Sequence, residues 1–176
     1  MPYQGIYPQI GVGVYIHPAA QIIGDVVLGE NVSIWPGTVI RGDVNSICIG
    51  AGTNIQDLSV LHVSHKSGRD EDGAPLVIGR LVTIGHRCIL HGCEIGDECL
   101  IGMGAIVMDH VVIQPQVLIG AGSLVPEGKQ LKSGSLYHGN PVRRVRSLTD
   151  AELAYFAYAA RHYIELKNDY LGDSTG

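Results

Sequence analysis

The chain has 176 residues, enough for one domain, of which 45% are hydrophobic but only 6% aromatic, with 24 glycines. A formal net charge of −5 offers no basic footprint for nucleic acid, and neither a charged-then-apolar leader nor a run of about 18 apolar residues is present. Neither nucleic-acid binding, secretion nor membrane spanning is therefore expected, and the expected compartment is the cytoplasm.

Residues 1–9, with Tyr3, Tyr7 and two prolines, are read as a cap over the open end of a solenoid, which needs one. From Ile10 onward aliphatic residues recur every six positions: Ile10, Ile16, Ile22, Leu28, Ile34 and Ile40, then Ile49, Ile55 and Leu61. The series resumes at Ile78, Ile84 and Leu90, and runs from Ile95 through Ile101, Val107, Ile113, Ile119 and Val125 to Leu131. Two residues before each anchor sits a small or β-branched residue, such as Val26, Thr38, Ser59 or Ala105. Positions i and i−2 of a strand point the same way, so both face inward. The residue after the anchor is often Gly (Gly11, Gly29, Gly50, Gly79, Gly96), as expected where the outside of a coil is crowded or must turn. Cys88, Cys93 and Cys99 occupy the small inward position with no Cys-x-x-Cys pair, and read as buried core thiols.

A hexapeptide period of this kind reads as a parallel β-helix. The resemblance to hexapeptide solenoids implies a triangular cross-section with three hexads to the coil. The third face then carries Ile22, Ile40, Leu61, Leu90, Val107 and Val125, followed on the outside by Ile23, Arg41, His62, His91, Met108 and Pro126. This register requires the interruptions to fall at corners. Ile40 to Ile49 is nine residues, Leu61 to Ile78 is seventeen, and Leu90 to Ile95 is five. The longest contains a polar loop within Ser64 to Pro75. With that loop set aside, Leu61 and Leu90 are one coil apart, which places His62 and His91 on neighbouring strands, roughly 4.8 Å from each other.

After Leu131 the hexads fade, and Gly139, Asn140 and Pro141 predict an exit turn over 138–148. Thr149 with Glu152 forms a capping box. Leu153, Phe156, Ala157, Ala160, Tyr163 and Ile164 follow at helical spacing and predict a C-terminal α-helix over 149–171. The whole chain, 1–176, is thus read as one domain with its β-helix over 10–137.

Two imidazoles stacked on adjacent strands can share a metal, and catalytic zinc commonly takes three protein ligands with one position open. His62 and His91 are the first two. His86, at the corner between the second and third faces, lies five residues before His91, up to about 16 Å along an extended chain. A neighbouring copy is therefore expected to supply it, and a ring of three copies would form three equivalent sites. Three histidines also suit Fe2+, Co2+ or Ni2+. His65 is a substitute ligand within the loop, while His17, His110, His138 and His162 read as structural or exposed. Asp57 shares the corner position of His86 one coil earlier, and a carboxylate beside a ligating imidazole fixes its tautomer. Arg41 is expected to pair with Asp43, or with Asp57 across a contact between copies.

Arg41-Gly42-Asp43, Asn54-Ile55-Gln56-Asp57 with Leu61-His62, and Gly85-His86 with Leu90-His91-Gly92-Cys93 together resemble the motif set of the γ-class carbonic anhydrase family, most of all its bacterial YrdA/PaaY-type branch. The resemblance runs from about Tyr7 to Leu171. It implies an all-β solenoid, a left-handed parallel β-helix with a C-terminal α-helix, assembled as a homotrimer with Zn2+ held between subunits by His62 and His91 of one and His86 of the next. It implies reversible hydration of carbon dioxide to bicarbonate, with Gln56 orienting the nucleophile and Asn54 holding it or bicarbonate. Tyr137 would serve in the pocket wall, and Arg41, Asp43 and Asp57 in an interface ion-pair network. The chain departs from the family at proton transfer. Val44 follows Asp43, no glutamate follows His62, and Asp70, Glu71 and Asp72 lie out on the loop, so a slow hydratase is expected. Hexapeptide acyltransferases, whose exit segment Gly139-Asn140-Pro141 resembles, acyl-CoA thioesterases and a non-catalytic trimeric scaffold are the alternatives.

Overall fold

The six-residue period becomes a strand of two or three residues followed by a corner, as at Ser33–Ile34, Asn54–Ile55, Thr83–Ile84 and Leu100–Ile101. In the computed structural model, which describes residues 1–68 and 70–173, the chain winds through about seven turns of a parallel β-solenoid and ends in one helix, Asp150–Asp173. The second face forms one sheet. The first and third faces form another, because Gln21–Leu28 and Val39–Ile49 run unbroken from one face to the other. The anchors stack as expected, Leu61 on Ile40 and Leu90, and Ile84 on Ile55 and Ile101, and are buried. Cys88, Cys93 and Cys99 are buried among them. Burial pushes the Cys88 thiol up to about 11 and that of Cys99 to about 12, which leaves both protonated and inert at neutral pH.

The glycines after the anchors are explained by crowding. A Cβ on Gly50 would lie 2.6 Å from the Gly79 carbonyl carbon, and one on Gly96 would lie 2.6 Å from Pro115 N. The turning is done elsewhere, three residues before the anchor, where φ is positive. Glycine supplies it at Gly37, Gly52 and Gly104, but Asn31, Leu58, Leu81, Arg87, Glu98, His110 and Gln116 adopt it too. Each such residue costs roughly 1–2 kcal/mol of local strain, which the ladder on either side offsets.

The departures from the period gather at the corner between the third and first faces. The nine-residue interval is not a loop between strands. Gly24 pairs with Gly42 and Val26 with Ile47, so the three extra residues bulge from within Val39–Ile49 at Asp43 to Ser46. The 64–75 segment leaves from the same corner, and the five-residue interval is closed there by Gly92, whose φ is +50.

At the N-terminus the expected cap folds back on itself, with Tyr3 and Ile6 exchanging backbone hydrogen bonds of 3.0 and 2.9 Å, and leaves Tyr7 and Ile10 exposed. At the other end the structure corrects the expected exit turn. Ser135–Gly139 stacks on Val117–Ile119 as a further strand and pairs antiparallel with Val142–Ser147. The helix packs on the second face, where Trp35 meets Tyr163 and Tyr170 at centroid distances of 5.5 and 5.3 Å. No helix among the described residues is long and apolar enough to cross a membrane.

The capping box is present: Thr149 N donates to Glu152 Oε2 at 2.9 Å, and Glu152 N donates to Thr149 Oγ1 at 3.3 Å. Arg146 adds a two-pronged hydrogen bond, Nη1 to Oε2 at 2.8 Å and Nη2 to Oε1 at 2.7 Å. Arg146 first, then the Thr149 amide, pulls the Glu152 carboxyl from 4.5 down to about 2. A depressed carboxyl contributes stability above its unfolded pKa and loses it as pH falls through the folded one. The start of the helix is therefore expected to loosen between pH 4.5 and about 2. Amide exchange over the first helical turn checks this, and Glu152→Gln is expected to abolish the pH response.

Candidate metal centre

His62 and His91 each end a third-face strand, Val60–His62 and Ile89–His91, and are direct partners across the ladder. Their inward neighbours Leu61 and Leu90 are fully buried, so the imidazoles are forced outward and side by side. Nδ1 of His62 lies 3.0 Å from Nε2 of His91, with the rings tilted by 59°.

The outer nitrogens are both engaged. His62 Nε2 donates to Asp43 Oδ1 at 3.0 Å, and His91 Nδ1 donates to Asp109 Oδ1. Arg41 donates to the other oxygen of Asp43, and Ser64 Oγ donates to the other oxygen of Asp109 at 2.8 Å. Burial works against ionisation of Asp43, but hydrogen bonds from His62 and Arg41 outweigh it and hold the carboxyl below its usual range. With the outer nitrogen of each ring engaged by a carboxylate, the inner nitrogens of the two imidazoles face each other. Two nitrogens about 2.0–2.1 Å from a tetrahedral ion stand roughly 3.3 Å apart, close to the spacing here.

Asp43 reaches His62 because of the bulge. Gly42 fits where it does because a Cβ there would overlap the carbonyl oxygen of Asp25, so the Arg41-Gly42-Asp43 spacing has a steric origin.

A second cluster lies at the opposite end of the third face. Nδ1 of His86 donates to Asp57 Oδ2 at 2.9 Å. Gln56, next to Asp57, donates its amide to Asn54 Oδ1 at 3.1 Å, and Asn54 donates to Thr83 Oγ1 at 3.0 Å. Within one chain the structure does not bring His86 to His62 and His91. Among the described residues no three His, Cys, Asp or Glu side chains of one chain converge as metal ligands.

Tyr137 is placed differently from its expected position in a pocket wall. It lies six residues after Leu131, is therefore the next anchor, and stacks on Ile119 in the core, where its hydroxyl accepts from Lys132 N at 2.9 Å. Asp109 and Ser64 escaped the sequence reading. Asp109 follows Met108, the outward residue one coil above His91, and tracing that column one position further would have found it. His110 pairs with Asp70 at 3.0 Å, and His65 makes no part of the facing pair.

Residues 7–42 and 92–127 match the model of the bacterial transferase hexapeptide (six repeats) family. The chain is 52% identical to the protein YrdA of Escherichia coli K12 over 97% of this chain and 92% of that one. It is 44% identical to the mitochondrial gamma carbonic anhydrase 1 of Arabidopsis thaliana over 92% of this chain, which spans 58% of the plant protein. Among solved structures it is similar to a hexapeptide transferase family protein from Anaplasma phagocytophilum, at 45% identity and a TM-score of 0.89 over 96% of both chains.

Proposed function

This chain belongs to the hexapeptide-repeat family of YrdA, to which the γ carbonic anhydrases are related, and on that premise we propose that it is a γ-carbonic-anhydrase-like zinc protein that hydrates carbon dioxide as a homotrimer. The facing pair of His62 and His91, each held by a carboxylate, is the observation that carries this reading. Donors of this kind, imidazoles with their outer nitrogens hydrogen-bonded to carboxylates, fit zinc. His86 completes the ligand set from a neighbouring copy. Between the two clusters runs an exposed apolar stripe of Val60, Ile89 and Ile106, and Met108 extends it in the column of His62 and His91. Burying such surface against another copy contributes about 25 cal/mol per Å2, and a cyclic arrangement joins the His86 end of one third face to the His62 and His91 end of the next.

When bound, zinc supplies the Lewis acidity that makes water nucleophilic near neutral pH. The protein's own residues hold and orient. Asp43 and Asp109 fix the tautomer and orientation of the two imidazoles, and Arg41 balances the charge of Asp43. Gln56 arrives with His86 and orients the nucleophile and the bicarbonate product through its amide, while the fully buried Asn54 holds Gln56 from behind instead of touching either as expected. With Val44 beside Asp43 in place of an acidic residue, proton release to solvent limits the rate.

The test is stopped-flow hydration of carbon dioxide by zinc-loaded protein. Catalysis above the uncatalysed rate is expected, and Gln56→Ala is expected to lower it about 100-fold, the cost of a misplaced reactant, at unchanged zinc content. An acyltransferase reading draws on the likeness to the Anaplasma protein. Acetyl-CoA turnover by the protein, with no hydration at full zinc occupancy, would favour that reading instead.

A further inference from the structure

The two carboxylates of the facing pair are built alike, each spending one oxygen on an imidazole and the other on a third group. For Asp43 the third group is Arg41; for Asp109 it is Ser64, the first residue of the long corner segment. We propose that Asp109 is a positioning residue for His91 that also ties the 64–75 segment to the metal centre, so that docking of this segment and metal binding reinforce each other. The inference rests on the zinc reading above.

Three observations support it. Gly92, immediately after His91, leaves the space Asp109 needs, because a Cβ there would overlap Asp109 Oδ1 and lie 2.5 Å from Ala74 Cβ. The segment is held at its base by reciprocal Ser64 and Ala74 backbone hydrogen bonds of 3.0 and 3.1 Å, and by Asn45, whose Nδ2 donates to Ser64 O at 3.1 Å and to Asp72 O at 3.0 Å. Asp109 and His110, consecutive in sequence, then take hold of it at two points, through Ser64 and through Asp70. One carboxylate therefore orients the His91 ring and anchors the segment at once. A hydrogen-bonded carboxylate fixes the tautomer of a ligating imidazole and raises its basicity. Whatever the segment gains from an ordered Asp109, the metal gains from an ordered segment, since such coupling is reciprocal.

The experiment measures zinc affinity by chelator competition in the wild type, Asp109→Ala, Asp109→Asn and Ser64→Ala, with amide exchange over Ser64–Gly68 and Asp70–Ala74 with and without zinc. Asp109→Ala is expected to weaken affinity by about 10–100-fold. Asp109→Asn, whose carbonyl oxygen still accepts from His91 Nδ1 in an isosteric side chain, is expected to recover part of that loss. Zinc is expected to slow exchange of the Ser64 and Ala74 amides in the wild type but not in Asp109→Ala, a difference that a purely structural role would not produce. Equal zinc affinity in the wild type and all three variants would overturn the assignment and leave the zinc site standing. A wild-type protein that takes up no zinc would overturn the reading beneath it.

Discussion

His91→Ala is expected to reduce bound zinc from about one ion per chain to near none, with the solenoid still wound. The two halves of that expectation have separate causes. The imidazole projects from the outside of the coil, and the burial that holds the coil together belongs to Leu90 beside it, so truncation leaves the core intact. In the proposed site the metal would lose a direct ligand, and the loss should exceed the roughly 10–100-fold that follows from disturbing a hydrogen-bonded partner alone. His86→Ala is expected to do the same although it lies at the far end of the face, because in the proposed trimer its ring would serve the neighbouring copy. Metal analysis after gel filtration checks both, and unchanged zinc in either variant would remove that residue from the ligand set.

Gly42→Ala is expected to be among the most damaging single changes outside the core. The added Cβ would overlap the Asp25 carbonyl oxygen and sit 3.2 Å from the Asn45 carbonyl oxygen, where both neighbours are backbone and neither can swing aside. Relief requires the bulge at Asp43 to Ser46 to shift, at a cost of about 1–3 kcal/mol or somewhat more. The shift also carries Asp43 away from His62. The variant should therefore show a lower urea midpoint together with weaker zinc binding, whereas Val44→Ala next to it, at an exposed position, should show neither. Gly42→Ala with a wild-type midpoint and wild-type zinc affinity would mean that the corner is softer than its packing implies.

Much of this architecture was legible in the sequence because a solenoid repeats one local rule. Once Leu61 and Leu90 are recognised as equivalent anchors, the partnership of His62 with His91 follows from strand geometry, and it is the one observed. Of the two partners that the sequence offered Arg41, Asp43 or Asp57 of another copy, the chain shows Asp43. What was hidden lies where the rule breaks. The three residues added between Ile40 and Ile49 look like a corner loop in one dimension, yet the strand Val39–Ile49 runs through and expels them as a bulge, which is how Asp43 reaches an imidazole a coil away. The resemblance placed Tyr137 in a pocket wall, but an aromatic anchor is still an anchor, and its position six residues after Leu131 buries it. Asp109 sits on a regular coil with no motif around it. The spacing of the column reaches its position, but its partnership with Ser64 across the space left by Gly92 is a coincidence of three segments that spacing along the chain does not reveal.

Sharing of the site between copies is the central claim, and co-expression of His91→Ala and His86→Ala chains under two different tags tests it most directly. In a ring where each site takes His62 and His91 from one copy and His86 from the next, any trimer containing both variants has one intact site out of about three, whichever variant is in excess. Doubly tagged protein is then predicted to hold about one-third of the wild-type zinc, while each variant alone holds almost none. Doubly tagged trimers as empty as either parent would contradict a site divided between His86 and the His62–His91 pair.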